Sequence, residues 1–146
     1  VVDVVDRFIK IIKPNKIFFG NKDMQQLLLV KNFVKSYHAN TKVIGCKTIR
    51  EKNGVAYSSR NFLLTPNEKR IASLVVKFLI KKKRKLINRR FSSSLIKKKI
   101  YELGVNNIDY IKILDINKIF LPFKKKKRYK IFIAYYLNKT RLIDNI

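Results

Sequence analysis

The sequence predicts an α/β fold followed by a small α+β region. Over the first 46 residues, helical and strand-like patterns alternate, which is typical of α/β proteins. After residue 63, two helical patterns precede three strand-like segments, which we expect to form an antiparallel sheet. Since 47% of the residues are hydrophobic, the chain can bury a core. We therefore expect one domain over residues 1–62 and a second over 63–146.

The first part begins with a helix and a short strand. Apolar residues recur at helical spacing over residues 1–13, and Pro14 ends that pattern. The run "KIFF" (16–19) predicts a buried strand, after which Gly20 opens a turn.

A second helix and strand follow. Asp23 is the expected N-cap of a helix that runs to about His38. Its expected inner face consists of Leu27, Val30, Val34 and Tyr37. The β-branched segment 41–46 predicts the second strand, and strands joined by a helix are expected to be parallel.

An irregular polar segment, "TIREKNGVAYSSRN" (48–61), separates the two parts. Its Asn53-Gly54 pair predicts a turn, which could equally belong to a plain hairpin. The sequence "TPNE" (65–68) then predicts a helix start, with Thr65 as N-cap, Pro66 at the first position and Glu68 completing a capping box. This helix is expected to run to about residue 88, with its basic run "KKKRK" (81–85) on a solvated face.

The C-terminal part is predicted to contain one more helix and the sheet. Ser92 or Ser93 is the expected N-cap, and Gly104 is a natural residue to follow the helix end. The strands are expected at 108–114, 129–137 and 140–143, with the charged segment 122–128 forming a loop.

The net charge of +26, from 35 Lys and Arg against 9 Asp and Glu, raises the possibility of an anionic partner. Most basic residues are lysine, whereas arginine is favoured for bidentate recognition of bases and phosphates. The accompanying Ile, Asn, Phe and Tyr all have A/T-rich codons, so base composition alone could produce this excess. We therefore expect no specific nucleic acid as partner, and a basic module for RNA or other polyanions remains the alternative.

Other classes of protein are disfavoured. The apolar stretches are too short to span a bilayer, so we expect no membrane partner, and the N-terminus lacks the pattern of a signal peptide. The lone Cys46 cannot form an internal disulfide, which fits a cytoplasmic location. With one histidine, His38, expected on the surface at a helix end, no zinc site is predicted.

Two polar clusters carry the expected chemistry. In the first, Gly20 permits close backbone approach to a ligand, Lys22 supplies a cation, and the following helix offers free N–H groups. Gln25 and Gln26 lie in the first turn of that helix, where either could bind a substrate. In the second, "YSSRN" (57–61), two hydroxyls and a guanidinium suit phosphate oxygens. Each cluster alone is a weak signal.

The two clusters together resemble the pantothenate synthetase family. "FFGNKDMQQL" is similar to the family's Phe-Gly-Glu-Lys-Asp-x-Gln-Gln-Leu stretch. "TIREKNGVAYSSRN" is similar to its Thr-x-Arg-Glu-x-x-Gly-Leu-Ala-x-Ser-Ser-Arg-Asn stretch. "VVDVVDRFIKIIKPNKIFFG", "NIDYIKILDI" and "KTRLIDNI" extend the resemblance over nearly the whole chain, most weakly from about 77 to 100.

The resemblance implies a Rossmann-like nucleotidyltransferase domain, present here only in its second part, and a ligase that consumes ATP, with Mg²⁺ on its polyphosphate. It implies pantoate and β-alanine as substrates, pantothenate as product, and a homodimer for the full-length enzyme. By similarity, the ATP-binding residues are Gly20, Asn21, Lys22, Asp23, Ile49, Tyr57, Ser58, Ser59 and Arg60. Gln26 would bind pantoate, Lys22 and Arg60 would act in catalysis, and no protein residue is assigned to a metal.

The chain departs from the family pattern in several places. Asn21 replaces an acid, Tyr57 replaces an aliphatic residue, and Cys46-Lys47 replaces a usual Val-Pro. The family's His-x-Gly-His motif, with its catalytic histidine, does not occur in these residues. Three interpretations follow: a fragment, one half of a split enzyme, or a non-catalytic remnant.

Overall fold

The chain folds into two compact units, Val1–Thr48 and Ile49–Ile146. The structure, a computed structural model, describes residues 1–88, 92–118 and 128–146. Within these ranges, no helix is both long and apolar enough to cross a bilayer.

The first unit is a helix–strand–helix–strand arrangement. It comprises α1 (Val2–Ile12), β1 (Lys16–Gly20), α2 (Met24–Tyr37) and β2 (Lys42–Cys46). The two strands pair in parallel along their whole length, from Lys16 opposite Lys42 to Gly20 opposite Cys46. The predicted order and strand direction are therefore confirmed.

The core of the first unit lies between α1, α2 and the strands. Ile9, Val30 and Val34 are buried there, and Val5, Ile17, Phe19, Phe33 and Val43 pack around them. The predicted inner face of α2 is confirmed for Leu27, Val30 and Val34 but is wrong for Tyr37, which is 74% exposed. Tyr37 is the last residue of α2, and its ring lies 5.1 Å from that of Phe33 instead of entering the core.

The second unit begins with the irregular segment, whereas the sequence predicts that this segment belongs to the first domain. Residues 49–57 form a hairpin, closed by an antiparallel bridge between Arg50 and Ala56, and Gly54 has a φ of 93° at its turn. The segment belongs to the second unit because Arg50 pairs with Asp144 and Ser73 donates to the carbonyl of Asn53. The compact units thus divide after Thr48, whereas the predicted domain boundary follows residue 62.

Two helices precede the sheet of the second unit. Helix α3 spans Pro66–Ile87 and starts with the predicted capping box between Thr65 and Glu68. Helix α4 spans Ser93–Glu102, with Ser92 as N-cap. Both helix starts are therefore confirmed, because the capping residues in the sequence satisfy backbone N–H groups at the helix ends.

The sheet is antiparallel, as predicted, with strand order β3-β4-β5. Its strands are β3 (Asn107–Asp115), β4 (Tyr129–Leu137) and β5 (Thr140–Asn145). Its core includes Ala72, Val75 and Leu79 from α3, Ile100 from α4, and Ile131, Ile133 and Leu137 from β4. The side chains of the basic run 81–85 are exposed or half-buried, in agreement with a solvated face. Most of the expected loop 122–128 lies outside the described residues.

Candidate functional site

The first polar cluster occupies the connection between β1 and α2. Gly20 is the last residue of β1, and residues Asn21–Asp23 form a short 3-10 turn that leads into α2. Asp23 is the N-cap residue of α2, as predicted, but its side chain makes no capping hydrogen bond. The Asp23 carboxylate is exposed at the start of the helix.

The side chains of this cluster differ in exposure. Asn21 and Lys22 are half-buried, whereas Gln25 and Gln26 are exposed in the first turn of α2. No atom outside the adjoining residues lies within 4 Å of the place where a Cβ on Gly20 would be. A ligand could therefore approach the backbone closely at the end of β1.

Gly45, in β2, lies against this cluster, a role that the sequence alone does not predict. A Cβ at Gly45 would lie only 2.6 Å from the Asn21 Oδ1 atom and 3.1 Å from the Leu27 Cδ2 atom. Asn21 thus packs over the β2 backbone because Gly45 has no side chain. A glycine inside a predicted strand was the available signal, since such a glycine often marks close approach of another group.

The second polar cluster follows the hairpin. The Tyr57 N–H donates to the Ile49 carbonyl at 3.0 Å, which closes the hairpin immediately before the two serines. The Ser58 hydroxyl accepts from the Arg60 N–H at 3.3 Å and caps a 3-10 turn, Ser59–Leu63. The Ser58 hydroxyl keeps its own O–H as a donor, so it can still bind a phosphate oxygen.

Three side chains of the second cluster are directed to solvent. Tyr57 is 62% exposed, and Ser59 and Arg60 are also exposed. Ile49 is 72% exposed as well. An exposed guanidinium with two nearby hydroxyls is a chemically competent arrangement for a phosphate group.

Each cluster is assembled within one compact unit. Gly20, Asn21, Lys22, Asp23 and Gln26 belong to Val1–Thr48. Ile49, Tyr57, Ser58, Ser59 and Arg60 belong to Ile49–Ile146. The predicted site residues therefore fall into two groups, and the structure shows the geometry within each group.

A cavity of about 270 Å³ lies elsewhere in the first unit and contains none of the predicted site residues. It is lined by Asp3, Asp6, Lys10, Phe33, Tyr37 and His38. Hydrogen bonds from Lys10 and His38 hold the pKa of Asp6 below its usual value, and the His38 Nε2–Asp6 Oδ1 distance is 2.7 Å. The expectation of a surface histidine is wrong, because the His38 side chain is only 13% exposed and hydrogen-bonds to Asp6.

Metal binding by protein side chains alone finds no support within residues 1–88, 92–118 and 128–146. They contain no group of three or more His, Cys, Asp or Glu residues that could hold an ion. Mg²⁺ commonly binds through substrate phosphates and one or two carboxylates, and Asp23 is a carboxylate beside Lys22.

The sequence is similar to known ligases over its full length. The family model for "Pantoate-beta-alanine ligase" matches residues 1–146. A pantothenate synthetase from Clostridioides difficile (strain 630) is 38% identical over 147 residues, which is 97% of this chain and 52% of that relative. A pantothenate synthetase from Azobacteroides pseudotrichonymphae is also 38% identical, over all of this chain and 54% of the relative. The chain thus spans about half the length of the curated relatives it matches.

Solved structures agree with the sequence relatives. A Francisella tularensis pantoate-beta-alanine ligase, complexed with beta-gamma ATP and beta-alanine, superposes with a TM-score of 0.74 and is 34% identical. That similarity covers 99% of this chain and 48% of the other. A pantothenate synthetase from Thermus thermophilus gives a TM-score of 0.77 at 27% identity, over 98% of this chain and 53% of the other. The chain therefore belongs to the pantoate-beta-alanine ligase family.

Proposed function

We propose that the chain provides nucleotide- and pantoate-binding residues of a ligase that condenses pantoate with β-alanine. The observation that carries this proposal is the match to the ligase family over residues 1–146. The Francisella relative, which was solved with a nucleotide and β-alanine, supports the same substrates. The exposed Arg60 and the open space at Gly20 are compatible with a phosphate-bearing ligand.

The proposed reaction overcomes the poor reactivity of a carboxylate. A pantoate carboxylate oxygen attacks the α-phosphate of ATP, the bond to the β-phosphate breaks, and pyrophosphate leaves. The amine of β-alanine then attacks the acyl carbon of the pantoyl-adenylate and loses a proton. Breakage of the acyl–phosphate bond releases AMP and pantothenate. Catalysis of this kind rests mainly on positioning and on stabilising charge at phosphate oxygens.

The residues have separate proposed roles. Lys22 and Arg60 neutralise charge that develops on the polyphosphate, and Ser58 and Ser59 donate hydroxyl hydrogen bonds to it. Asn21, Asp23, Ile49 and Tyr57 line the nucleotide site, with Ile49 contacting it through its backbone. Gln26 binds pantoate from the first turn of α2. Asp23 would hold a Mg²⁺ ion bound to the nucleotide, and the ion would supply positive charge beside the phosphates.

Reconstitution tests the proposed activity. The 146-residue chain is combined with the portion of the C. difficile relative that it does not match, and ATP- and β-alanine-dependent pantothenate formation is measured. We expect Lys22→Ala and Arg60→Ala each to lower turnover by about 10²-fold, as for loss of one donor to a developing anion. Lys35→Ala and Arg70→Ala, at exposed positions outside the clusters, should leave turnover unchanged.

Two results would contradict the proposal. Absence of pantothenate from a folded, associated complex would reject the activity. Normal turnover in both Lys22→Ala and Arg60→Ala would reject the site. We further propose that the complete enzyme is cytoplasmic and that it is a homodimer. Sedimentation of the reconstituted complex would test the homodimer.

A further inference from the structure

The hairpin at residues 49–57 carries the second cluster on a fixed base. The Glu51 N–H donates to the Val55 carbonyl at 2.8 Å, which pairs the two arms. The Ser73 hydroxyl, on α3, donates to the Asn53 carbonyl at 2.7 Å and so holds the turn against the helix. The position of the cluster therefore depends on what holds the two arms of the hairpin.

Arg50 connects this hairpin to the end of β5. Its Nη1 atom lies 2.6 Å from Asp144 Oδ2, and its Nη2 atom lies 3.0 Å from Asp144 Oδ1, so the pair is bidentate. The same guanidinium donates to the Gly54 carbonyl at 3.0 Å and to the Asn145 carbonyl at 3.3 Å. Because the Asp144 side chain is only 5% exposed, water cannot readily replace Arg50 as its partner.

Glu51, the next residue of the hairpin, continues this network to the 3-10 turn. Its Oε1 atom accepts from Asn61 Nδ2 at 2.5 Å, and its Oε2 atom accepts from Asn53 Nδ2 at 3.1 Å. Asn61 Nδ2 also donates to the Ala56 carbonyl at 3.1 Å, and Asn61 is buried. Since Asn61 directly follows Arg60, the cluster is anchored on both sides.

We propose that Asp144 is a positioning residue for the phosphate-binding cluster Tyr57–Arg60 and acts through Arg50. This assignment rests on the proposed function, in which the cluster binds ATP. Asp144 does not touch the nucleotide in this proposal. It fixes Arg50, which fixes the hairpin, while Glu51 and Asn61 transmit that position to the turn that carries Arg60. Strand β5 would therefore fix the geometry of a site that lies almost a hundred residues before it in the sequence.

Three variants of the full 146-residue chain test the proposal. Asp144→Asn keeps the shape of the side chain and removes its charge. Arg50→Lys keeps a charge but cannot make the bidentate pair together with the two carbonyl contacts, so it serves if the first variant fails to fold. Asp109→Asn is the matched control, because Asp109 pairs with Arg141 in the same sheet at an exposed position.

Two readouts are measured below each variant's melting temperature. Amide hydrogen exchange of segment 57–63 should accelerate about tenfold in Asp144→Asn, less in Arg50→Lys, and not at all in Asp109→Asn. Affinity for MgATP, titrated with a fluorescent ATP analogue, should fall in the same order. A merely structural role would instead change the melting temperature without this ordered change in affinity.

The outcomes separate this inference from the proposed function. If Asp144→Asn accelerated amide hydrogen exchange only in residues 140–146 and left segment 57–63 unchanged, the positioning role would be overturned. Unaltered MgATP affinity in Asp144→Asn and Arg50→Lys would also overturn it. If the unsubstituted chain binds no MgATP even in the reconstituted complex, the proposed function fails, whereas hydrogen exchange still decides whether Asp144 holds the segment.

Discussion

At the scale of single residues, the contact between Gly45 and Asn21 links strand β2 to the first polar cluster. A Cβ at Gly45 would lie 2.6 Å from Asn21 Oδ1, a distance at which one of the two groups must move. We expect Gly45→Ala to rotate Asn21 away from β2, to cost about 1 kcal/mol of unfolding free energy by overpacking, and to weaken MgATP binding several-fold. Denaturant unfolding and nucleotide titration measure the two effects.

The matched control for this substitution is Gly20→Ala, which adds a methyl group where nothing lies within 4 Å. Gly20 has a φ of −68°, which suits any residue, so its unfolding free energy should change by less than about 0.5 kcal/mol. Because the added methyl group would occupy open space at the proposed nucleotide site, Gly20→Ala should weaken nucleotide binding without loss of stability. An unchanged Asn21 environment in Gly45→Ala, read by NMR, would contradict the argument.

Gly104 has a different requirement, since its φ of 104° lies in a region that other residues rarely adopt. A Cβ there would also lie 2.9 Å from the Ile71 Cδ1 atom in the core of the second unit. Gly104→Ala should therefore lower the unfolding free energy by about 1–3 kcal/mol, measured by urea unfolding. If Gly104→Ala lowered the free energy of unfolding no more than Gly20→Ala does, the backbone would have to relax at residue 104.

The sequence predicts the role of Gly104 but not that of Gly45. Gly104 was predicted as the residue after a helix end because it follows a helical pattern directly, and its positive φ agrees with that role. Gly45 was overlooked because its importance depends on Asn21, which contacts it only after β1 and β2 pair. Local rules identify a glycine that its own φ requires. For a glycine inside a strand they indicate only that some group lies close, and the tertiary structure is needed to identify that group.

At the scale of secondary-structure elements, the N-terminus of α3 combines local capping with a tertiary contact. The Thr65 N–H donates to Glu68 Oε2 at 2.7 Å, and Asn138 Nδ2 donates to Glu68 Oε1 at 2.6 Å. Asn138 has a φ of 48° and lies in the turn between β4 and β5. Glu68 thus joins the start of a helix to a hairpin of the sheet.

This arrangement predicts a pH-dependent stability. The Thr65 N–H, the Thr65 hydroxyl and Asn138 hold the pKa of Glu68 below its ordinary value of 4.5. A lowered pKa means that the carboxylate contributes stability fully above pH 4.5, and that this contribution is lost as pH falls through the folded value. Glu68→Gln should therefore lower the melting temperature more at about pH 7 than at about pH 3, where part of this contribution is already lost.

Glu102→Gln provides the control for this experiment. Glu102 also has a lowered pKa, because Lys99 hydrogen-bonds to it, but this pair is exposed and screened by solvent. Its substitution should change the melting temperature less than Glu68→Gln does at about pH 7. If Glu68→Gln lowered the melting temperature equally at both pH values, the charge of Glu68 would not be the source of its stabilising effect.

The elements themselves were largely predictable, for identifiable physical reasons. The capping box and Pro66 define the start of α3 locally, and the proline after α1 defines its end. The sequence does not predict the 3-10 turns at Asn21–Asp23, Ser59–Leu63 and Ile116–Lys118, because each is only three to five residues long and shows no helical periodicity. Tyr37 was misassigned because helical periodicity cannot show where the core ends.

At the scale of the whole molecule, the unit boundary was the part least accessible from sequence. The irregular segment 48–61 is polar, so its composition gives no reason to join it to the second unit. The Arg50–Asp144 pair, which joins it to β5, is invisible to any local pattern. The two candidate clusters could nevertheless be delimited as segments, because the resemblance to the family depends on residue types and their spacing along the chain.

The net charge of +26, a property of the whole molecule, predicts non-specific binding to polyanions. We expect the chain to bind RNA and heparin without sequence preference, and its affinity for random RNA to fall at least about tenfold between roughly 50 mM and 200 mM salt. Lysine-rich surfaces bind polyanions mainly through counterion release, which depends on charge and not on base identity. Titration of random, structured and homopolymeric RNAs over a salt series measures both properties. Selective binding that persists at high salt would support the RNA-binding alternative, whereas a steep and unselective decline would assign the charge to general electrostatics.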